Sequence, residues 1–126
     1  MKIIVVDDEK DVQILFQQKF RKEIRSGKIQ FHFAFSGEEG LQYLQINGTT
    51  DIYLILSDIN MPGMNGLELL KKIKTNYPGL MVYMITAYGD ECNYREAVAY
   101  GCDDYLTKPL NFDDLKNKLL NENLRN

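Results

Sequence analysis

The strongest constraint on the fold is a regular alternation between short apolar runs and longer segments of helical periodicity. The run Ile3-Ile4-Val5-Val6 is continuous, which is typical of a strand buried on both faces of a parallel sheet. Between such runs, apolar residues recur at three- and four-residue steps, as in amphipathic helices. A strand–helix unit repeated five times predicts a (βα)5 three-layer α/β domain with a parallel sheet between two layers of helices. The predicted strands cover residues 2–6, 29–35, 53–57, 81–86 and 104–107.

The predicted helices begin and end at recognisable signals. Ser36 and Glu39 have the spacing of a capping box at the start of the second helix. Gly101 is placed to end the fourth helix, and acidic residues after Asn111 suit the first turn of the fifth. The third helix is predicted over residues 66–76 and the fourth over about 90–100. The apolar stripe of the first helix consists of Val12, Leu15, Phe16, Phe20 and Ile24.

Composition bounds the class of protein. With 126 residues, 44% hydrophobic and 26% charged, the chain predicts one globular domain over residues 1–126, with a core over about 2–120 and a polar, fraying C-terminal tail. A net charge of -3 argues against binding of nucleic acid or an anionic membrane by bulk electrostatics. Cys92 and Cys102 form neither a disulfide framework nor a zinc pattern. No apolar run is long enough to cross a bilayer, so we expect a cytoplasmic protein with reduced thiols.

Polar residues follow the predicted strands where the carboxyl ends of a parallel sheet meet, which is where ligands bind in such folds. Asp7 and Asp8 follow the first strand and Asp58 the third. Thr86 ends the fourth strand and Lys108 follows the fifth. We therefore expect three carboxylates, a hydroxyl and an ammonium group at one edge of the sheet.

These groups predict a site for a phosphoryl group. Crowded carboxylates repel one another and need a cation, and oxygen ligands favour Mg²⁺, with Mn²⁺ as a second choice. The positive charge of Lys108 and the hydroxyl of Thr86 suit a transferred phosphoryl group. Asp58 is the best candidate for a carboxylate nucleophile that forms an acyl phosphate, because the loop over residues 60–66 leaves it accessible.

Each residue alone also has a plain structural interpretation. Asp7 and Asp8 could cap a helix, Asp58 could belong to a turn, and Lys108 could be a surface charge. These interpretations do not explain why all the segments end strands at one edge. His32, among core aromatics, is interpreted as structural rather than as a phosphorylated histidine. For Tyr88, Tyr94, Tyr100 and Tyr105 two interpretations stay open, core packing and a partner-binding surface.

Four segments together give the chain a specific resemblance. They are Val5-Val6-Asp7-Asp8-Glu9, residues 56–66 with Asp58 and Met61-Pro62-Gly63, Ile85-Thr86-Ala87, and residues 104–109 with Lys108-Pro109. In this order and at these intervals, the chain resembles the response-regulator receiver domains of two-component signalling, including chemotaxis receivers. The resemblance covers residues 2 to about 120 and implies a flavodoxin-like sheet of strand order 2-1-3-4-5.

The resemblance also implies residue roles. Asp58 would be the phosphoacceptor, and Mg²⁺ would be bound by Asp8, Asp58 and the Asn60 backbone carbonyl, with Asp7 acting through water. Thr86, Ala87 and Lys108 would form the phosphoryl-binding end, and the aromatic ring of Tyr105 would turn inward when Thr86 moves. Asn60 and Tyr88 would occupy the positions that tune the lifetime of the acyl phosphate in this family, and the Lys108-Pro109 bond would be cis.

The implied function is a switch that receives its phosphoryl group from a phosphohistidine of a sensor kinase or phosphotransfer protein. Phosphorylation would change the surface of the fourth helix, fifth strand and fifth helix toward an output partner. The chain would be a stand-alone or excised receiver that catalyses only its own modification. The alternatives are a haloacid-dehalogenase-type phosphatase, for which Asn60 lacks the second carboxylate, and a flavodoxin-like mononucleotide binder, for which a phosphate loop is missing.

Overall fold

Five parallel strands form one sheet in the computed structural model, which describes residues 1–87 and 89–125 and only the backbone of residues 121–125. The strands are β1 (Lys2–Val6), β2 (Gln30–Ala34), β3 (Ile52–Asp58), β4 (Val82–Ala87) and β5 (Asp104–Lys108). Their order is β2-β1-β3-β4-β5, so the predicted topology is confirmed. β2 and β5 are the edge strands. The Cα register pairs Val6 with Ser57 and Asp58 with Ile85, which aligns the carboxyl ends of the central strands.

Helices connect the strands on both faces of this sheet. They are α1 (Lys10–Lys19), α2 (Arg21–Arg25), α3 (Gly37–Asn47), α4 (Gly66–Asn76), α5 (Glu91–Ala99) and α6 (Phe112–Arg125). The fifth predicted helix is thus α6, and its backbone continues to Arg125 where the sequence predicted a fraying tail. Among the helices in residues 1–87 and 89–125, none is both long and apolar enough to span a membrane.

The first predicted helix is two helices joined at Phe20. The backbone bends there, with φ of -106° and ψ of 23°, although the Phe20 N–H still donates to the Phe16 carbonyl at 2.9 Å. Phe16 and Phe20 are buried in the core, whereas Leu15 and Ile24 stay 40% and 37% exposed. The prediction that Leu15 and Ile24 belong to the buried stripe was therefore wrong. Leu15 lies about 100° around α1 from the buried Phe16, and Ile24 comes after the bend.

The core lies in two parts on opposite faces of the sheet. On the face of α1 and α6, phenylalanine rings interlock, with 5.1 Å between the centroids of Phe16 and Phe112 and 5.2 Å between those of Phe20 and Phe31. On the face of α3, α4 and α5, the packing is mainly aliphatic and includes Leu70. The two cores hold the central strands between them and fix the carboxyl edge where the polar residues end.

Two local contacts differ from the sequence prediction. Ser36 Oγ accepts the Glu39 N–H at 3.0 Å, but the Glu39 carboxylate accepts the N–H of Phe35 at 2.7 Å rather than that of Ser36, so the capping box is only half formed. Asp103 was not predicted to matter. Its carboxylate accepts hydrogen bonds from the Lys74 ammonium and the Val82 N–H, each at 2.8 Å, and thereby joins α4, β4 and the turn before β5.

Candidate functional site

Three carboxylates meet at the carboxyl edge of the sheet. One oxygen from each of Asp7, Asp8 and Asp58 lies within 4.8 Å of the others. Asp7 directly follows β1 and is held by its N–H, which donates to the Ala34 carbonyl at 3.0 Å. Asp58 is the last residue of β3, adjacent to β1, so the register of the sheet brings these residues together. The two segments predicted to converge do converge.

Asp58 is the most confined of these acids. It is 3% exposed, so the prediction that the loop over residues 60–66 leaves it accessible was wrong. Its Oδ2 accepts a hydrogen bond from Lys108 Nζ at 3.1 Å. Its Oδ1 is buried and has no hydrogen-bond partner within the part of the chain that the structure describes. A buried carboxylate oxygen without a donor is costly, so Asp58 has unfilled capacity for a cation or another ligand.

Burial and neighbouring charges shift the pKa values of Asp7 and Lys108. Burial raises the pKa of Asp7 from 3.8 to about 6, with a contribution from the negative charge of Asp58, although the Glu9 N–H and Lys108 oppose this shift. Burial lowers the pKa of Lys108, but its hydrogen bond to Asp58 and the charges of Asp58 and Asp7 outweigh burial and raise it. Lys108 therefore stays cationic and supplies a fixed positive charge beside Asp58.

Gly66 packs directly against the backbone of Asp58. The Gly66 N–H, at the start of α4, donates to the Ile59 carbonyl at 2.8 Å. A Cβ at Gly66 would lie 2.1 Å from the Asp58 carbonyl oxygen, so no other residue fits without a shift of backbone. Asn65 caps α4 by accepting the Glu68 N–H at 2.9 Å. The loop over residues 60–66 therefore brings the start of α4 back against the end of β3, and Asn60 is exposed in this loop.

The remaining polar groups come from β4 and β5. Thr86 is fully buried, and its hydroxyl has no hydrogen-bond partner among the described residues. Ala87, the last residue of β4, is in register with Lys108 on β5. The end of β4 therefore lies beside the residue that carries the ammonium group. The ring of Tyr105 packs edge-on against Tyr94 with 4.8 Å between centroids, and its hydroxyl donates to the Asp90 carbonyl at 3.4 Å.

The structure thus gathers most of the predicted site. The carboxylates of Asp7, Asp8 and Asp58 cluster within 4.8 Å, and Lys108 donates to Asp58. Thr86 is the penultimate residue of β4 and directly follows Ile85, which pairs with Asp58. The Lys108-Pro109 peptide bond is cis. Tyr88 lies outside the described residues. The sequence reasoning missed the backbone N–H of Glu9, which donates to Asp7 Oδ1 at 2.9 Å, and the Asp90 carbonyl, which accepts from Tyr105. Backbone partners leave no residue-type signal in a sequence.

The donor set fits Mg²⁺. It consists of oxygen atoms only, it carries excess negative charge, and it includes the carboxylate of Asp58, whose Oδ1 has no hydrogen-bond partner among the described residues. With Lys108 on the other oxygen of Asp58, the arrangement can neutralise an incoming phosphoryl group beside a carboxylate nucleophile.

Comparisons with known proteins agree with one another. A family model described as "Response regulator receiver domain" matches residues 3–120. The chain is 32% identical to sporulation initiation phosphotransferase F of Bacillus subtilis, covering 91% of this chain and 87% of that protein. It is 35% identical to response regulator RppA of Synechocystis over 94% of this chain, but it spans only 49% of the length of RppA.

Solved structures show the same fold. A CheY-like receiver domain protein from Methanospirillum hungatei has a TM-score of 0.82 and 30% identity, with 96% of this chain and 91% of that chain covered. TrrA from Thermotoga maritima, solved with Mg(2+)-BeF, has a TM-score of 0.76 and 30% identity, with 95% and 96% covered. The receiver domain of Ssk1 from Saccharomyces cerevisiae, solved with the histidine phosphotransfer protein Ypd1, has a TM-score of 0.79 and 26% identity, with 94% and 85% covered.

Proposed function

Because the chain belongs to the response regulator receiver domain family, we propose that it is a phosphorylation-activated signalling switch with Asp58 as its phosphoacceptor. The observation that carries this proposal is the buried Asp58 carboxylate, with one oxygen on Lys108 and the other unpartnered among described residues. The family favours this role over the phosphatase and mononucleotide-binding alternatives. Receiver domains are signalling switches rather than classical enzymes, and we propose that this one catalyses only its own modification.

The phosphoryl donor in this proposal is a phosphohistidine of a sensor kinase or phosphotransfer protein. The complex of the Ssk1 receiver domain with a histidine phosphotransfer protein supports this class of donor. An oxygen of Asp58 forms a bond to phosphorus while the phosphorus–nitrogen bond to the imidazole breaks, and the electron pair of that bond leaves with the imidazole. Lys108 neutralises charge on the transferred phosphoryl oxygens.

We propose that Mg²⁺ binds to residues at the same carboxyl edge of the sheet. Asp8, Asp58 and the Asn60 carbonyl would bind Mg²⁺ directly, with Asp7 holding it through water, and Mn²⁺ would be an alternative. The ion would neutralise the carboxylates and the phosphoryl oxygens. The solved Mg(2+)-BeF complex of TrrA supports this assignment. The contact of Asp7 with the Glu9 N–H keeps that carboxylate aimed at the cluster.

The output of the switch is proposed to pass through Thr86 and Tyr105. The buried Thr86 hydroxyl would turn to a phosphoryl oxygen on Asp58, with Ala87 at the same end of β4, and the Tyr105 ring would leave its present contacts and turn inward. The affected surface consists of α5, β5 and α6, where Tyr94 and Val98 are about half exposed. Phosphorylation would change the affinity of this surface for an output protein or domain.

Two further positions are assigned to the lifetime of the phosphorylated state. Asn60 lies two residues after Asp58 and Tyr88 two after Thr86, and both would control the access of water to the acyl phosphate. We also propose that residues 1–126 act as one receiver domain. An output protein or domain, attached to the receiver or separate from it, would supply the response, and the chain spans only 49% of the length of RppA.

The test is phosphorylation by acetyl phosphate with Mg²⁺, followed by intact-protein mass measurement. The wild-type chain should gain one phosphoryl group, and Asp58→Asn should gain none. Asp51→Asn is the matched control, because Asp51 precedes the opposite end of the same strand and should leave the modification intact. Chelation of Mg²⁺ should suppress labelling of the wild type.

Persistent labelling of Asp58→Asn would move the phosphoacceptor elsewhere. Loss of labelling in both variants would point to a folding defect, which circular dichroism of each variant detects. Undiminished labelling in excess chelator would remove Mg²⁺ from the proposal.

A further inference from the structure

The outer edge of β2 lacks the lysine, proline and β-bulge that commonly protect an edge strand. Its sequence, Gln-Phe-His-Phe-Ala over residues 30–34, contains no lysine and no proline, and its register with β1 has no bulge. The other edge strand, β5, begins with Asp104 and ends with Lys108. Charged or proline-bearing edges prevent the addition of further strands, so the unprotected edge of β2 is unusual.

The backbone groups on this edge can be assigned from the ladder. The Gln30 N–H donates to the Met1 carbonyl at 2.9 Å, and the Ala34 carbonyl accepts the Asp7 N–H at 3.0 Å. Alternate residues of a strand direct their backbone groups to opposite sides, so Gln30, His32 and Ala34 pair with β1. The N–H and C=O groups of Phe31 and Phe33 therefore face outward.

The structure covers the same edge on either side of these two residues. The Ile29 N–H donates to the Glu23 carbonyl at 3.2 Å, and the Phe35 N–H donates to the Glu39 carboxylate at 2.7 Å. Among the described residues, nothing covers Phe31 and Phe33, so their four backbone hydrogen-bonding groups remain available between these covered ends. We call this segment, Phe31–Phe33, the β2 window.

Grooves flank the β2 window on both faces of the sheet. The groove toward α1 and α2 has a volume of about 710 Å³ and is lined by Arg21, Ile24 and Arg25 together with the two phenylalanines. The groove toward α3 has a volume of about 290 Å³ and is lined by His32, Tyr43 and Ile46, among others. Ile46 is 73% exposed, so apolar surface lies beside the strand on this face. An added strand would direct alternate side chains into the two grooves.

The basic side chains beside the groove indicate which kind of segment would bind there. Residues 19–28 contain five basic side chains and one acidic one, Glu23, which pairs with Lys116 at 3.3 Å, although the whole chain carries -3. Among described residues, no carboxylate lies within 4.0 Å of the Arg21 or Arg25 guanidinium. Unpaired arginines at the mouth of an apolar groove favour acidic side chains.

We propose that the β2 window accepts an extended segment of a partner protein as a sixth strand, with acidic side chains facing Arg21 and Arg25 and apolar side chains facing Tyr43 and Ile46. A second copy of this chain fits less well. Antiparallel pairing of two β2 strands would place the arginines of both copies on the same face of the joined sheet, where they repel. The window lies on the outer edge of the sheet, away from Asp58, and its use does not depend on phosphorylation.

The test measures amide hydrogen exchange of the full chain by NMR, with an acetylated and amidated peptide of alternating glutamate and valine as the probe. The Phe31 and Phe33 amides should exchange rapidly alone and slow by about tenfold or more at saturating peptide. The His32 and Ala34 amides, already bonded to β1, should change little. A peptide of alternating lysine and valine, and a glutamate–valine peptide methylated at every backbone nitrogen, should both fail to slow exchange.

Charge-reversal variants distinguish binding in the groove from general electrostatic attraction between the protein and the peptide. Arg21→Glu with Arg25→Glu should weaken peptide binding by about tenfold or more, whereas Lys22→Glu with Lys28→Glu, an equal charge change outside the groove lining, should weaken it by less than about threefold. Equal loss in both pairs, or slowing by either control peptide, would overturn the proposal. Unchanged exchange at millimolar peptide would also overturn it. Slowing that appears without peptide as protein concentration rises would assign the edge to a second copy instead.

Discussion

Replacing Asp7 by Asn should stabilise the protein when no divalent cation is bound. Burial raises the pKa of Asp7 to about 6 from 3.8, so the folded state opposes its ionisation. Stability is therefore full below about pH 4 and falls as pH rises through about 6, because the unfolded chain loses this proton first. At about 1.36 kcal/mol per pKa unit, the cost reaches about 3 kcal/mol at pH 7.5. Asn keeps the shape, can still accept the Glu9 N–H, and carries no charge.

The assay is urea unfolding followed by circular dichroism, since the chain has no tryptophan. In chelator at pH 7.5, Asp7→Asn should raise the free energy of unfolding by about 1–3 kcal/mol, and at pH 4 the gain should shrink below about 1 kcal/mol. Added Mg²⁺ should stabilise the wild type more than the variant, because binding to the folded state adds stability by mass action. Asp51→Asn, with an exposed carboxylate, should stay within about 0.5 kcal/mol of the wild type.

A variant that is no more stable than the wild type at pH 7.5 would refute the reasoning. So would a gain that persists undiminished at pH 4, because that gain could not come from the ionisation of Asp7.

Further substitutions test other parts of the site. Thr86→Val should change the free energy of unfolding by less than about 1 kcal/mol in urea, because the buried hydroxyl has no described partner to lose; a loss above about 2 kcal/mol would contradict this. Gly66→Ala should cost more than about 3 kcal/mol in the same assay, because its Cβ would lie 2.1 Å from the Asp58 carbonyl oxygen, whereas Gly79→Ala, with nothing within 4 Å, should be nearly neutral. Equal effects of the two alanines would refute the clash. Tyr88→Ala should shorten the lifetime of the phosphorylated chain, measured as loss of label after donor removal; an unchanged or longer lifetime counts against Tyr88 as a barrier to water.

Much of the fold was accessible from the sequence because strand and helix patterns have different periods. β1 and α4 begin and end where the patterns predicted. The strand order came from the family resemblance, since alternation alone leaves the order open. The bend at Phe20 was not predictable, because the three- and four-residue spacing of apolar residues continues through it and only tertiary packing decides which of them are buried.

Some residues of the candidate site were likewise predictable from the sequence, and others were not. Asp58 and Lys108 were identifiable because several polar residues, each with an ordinary explanation of its own, follow separate predicted strands at one edge of the sheet. The Asp103 carboxylate, which accepts from Val82 and Lys74, was not, since an aspartate in a turn before a strand has many ordinary explanations. Contacts made by backbone groups, such as the Glu9 N–H to Asp7, depend on three-dimensional geometry alone.

The tight packing at Gly66 has a mechanical consequence. The Asp58 carbonyl and the first turn of α4 touch with no room for even a methyl group between them. A displacement of the β3 terminus toward α4 is therefore resisted by direct atomic contact, whereas a displacement away from α4 is resisted by the hydrogen bond from the Gly66 N–H to the Ile59 carbonyl. A shift of the β3 terminus at Asp58 would therefore displace the start of α4 differently when it moves toward the helix and when it moves away. A bulkier residue at position 66 would displace the start of the helix in the same way as a shift toward it.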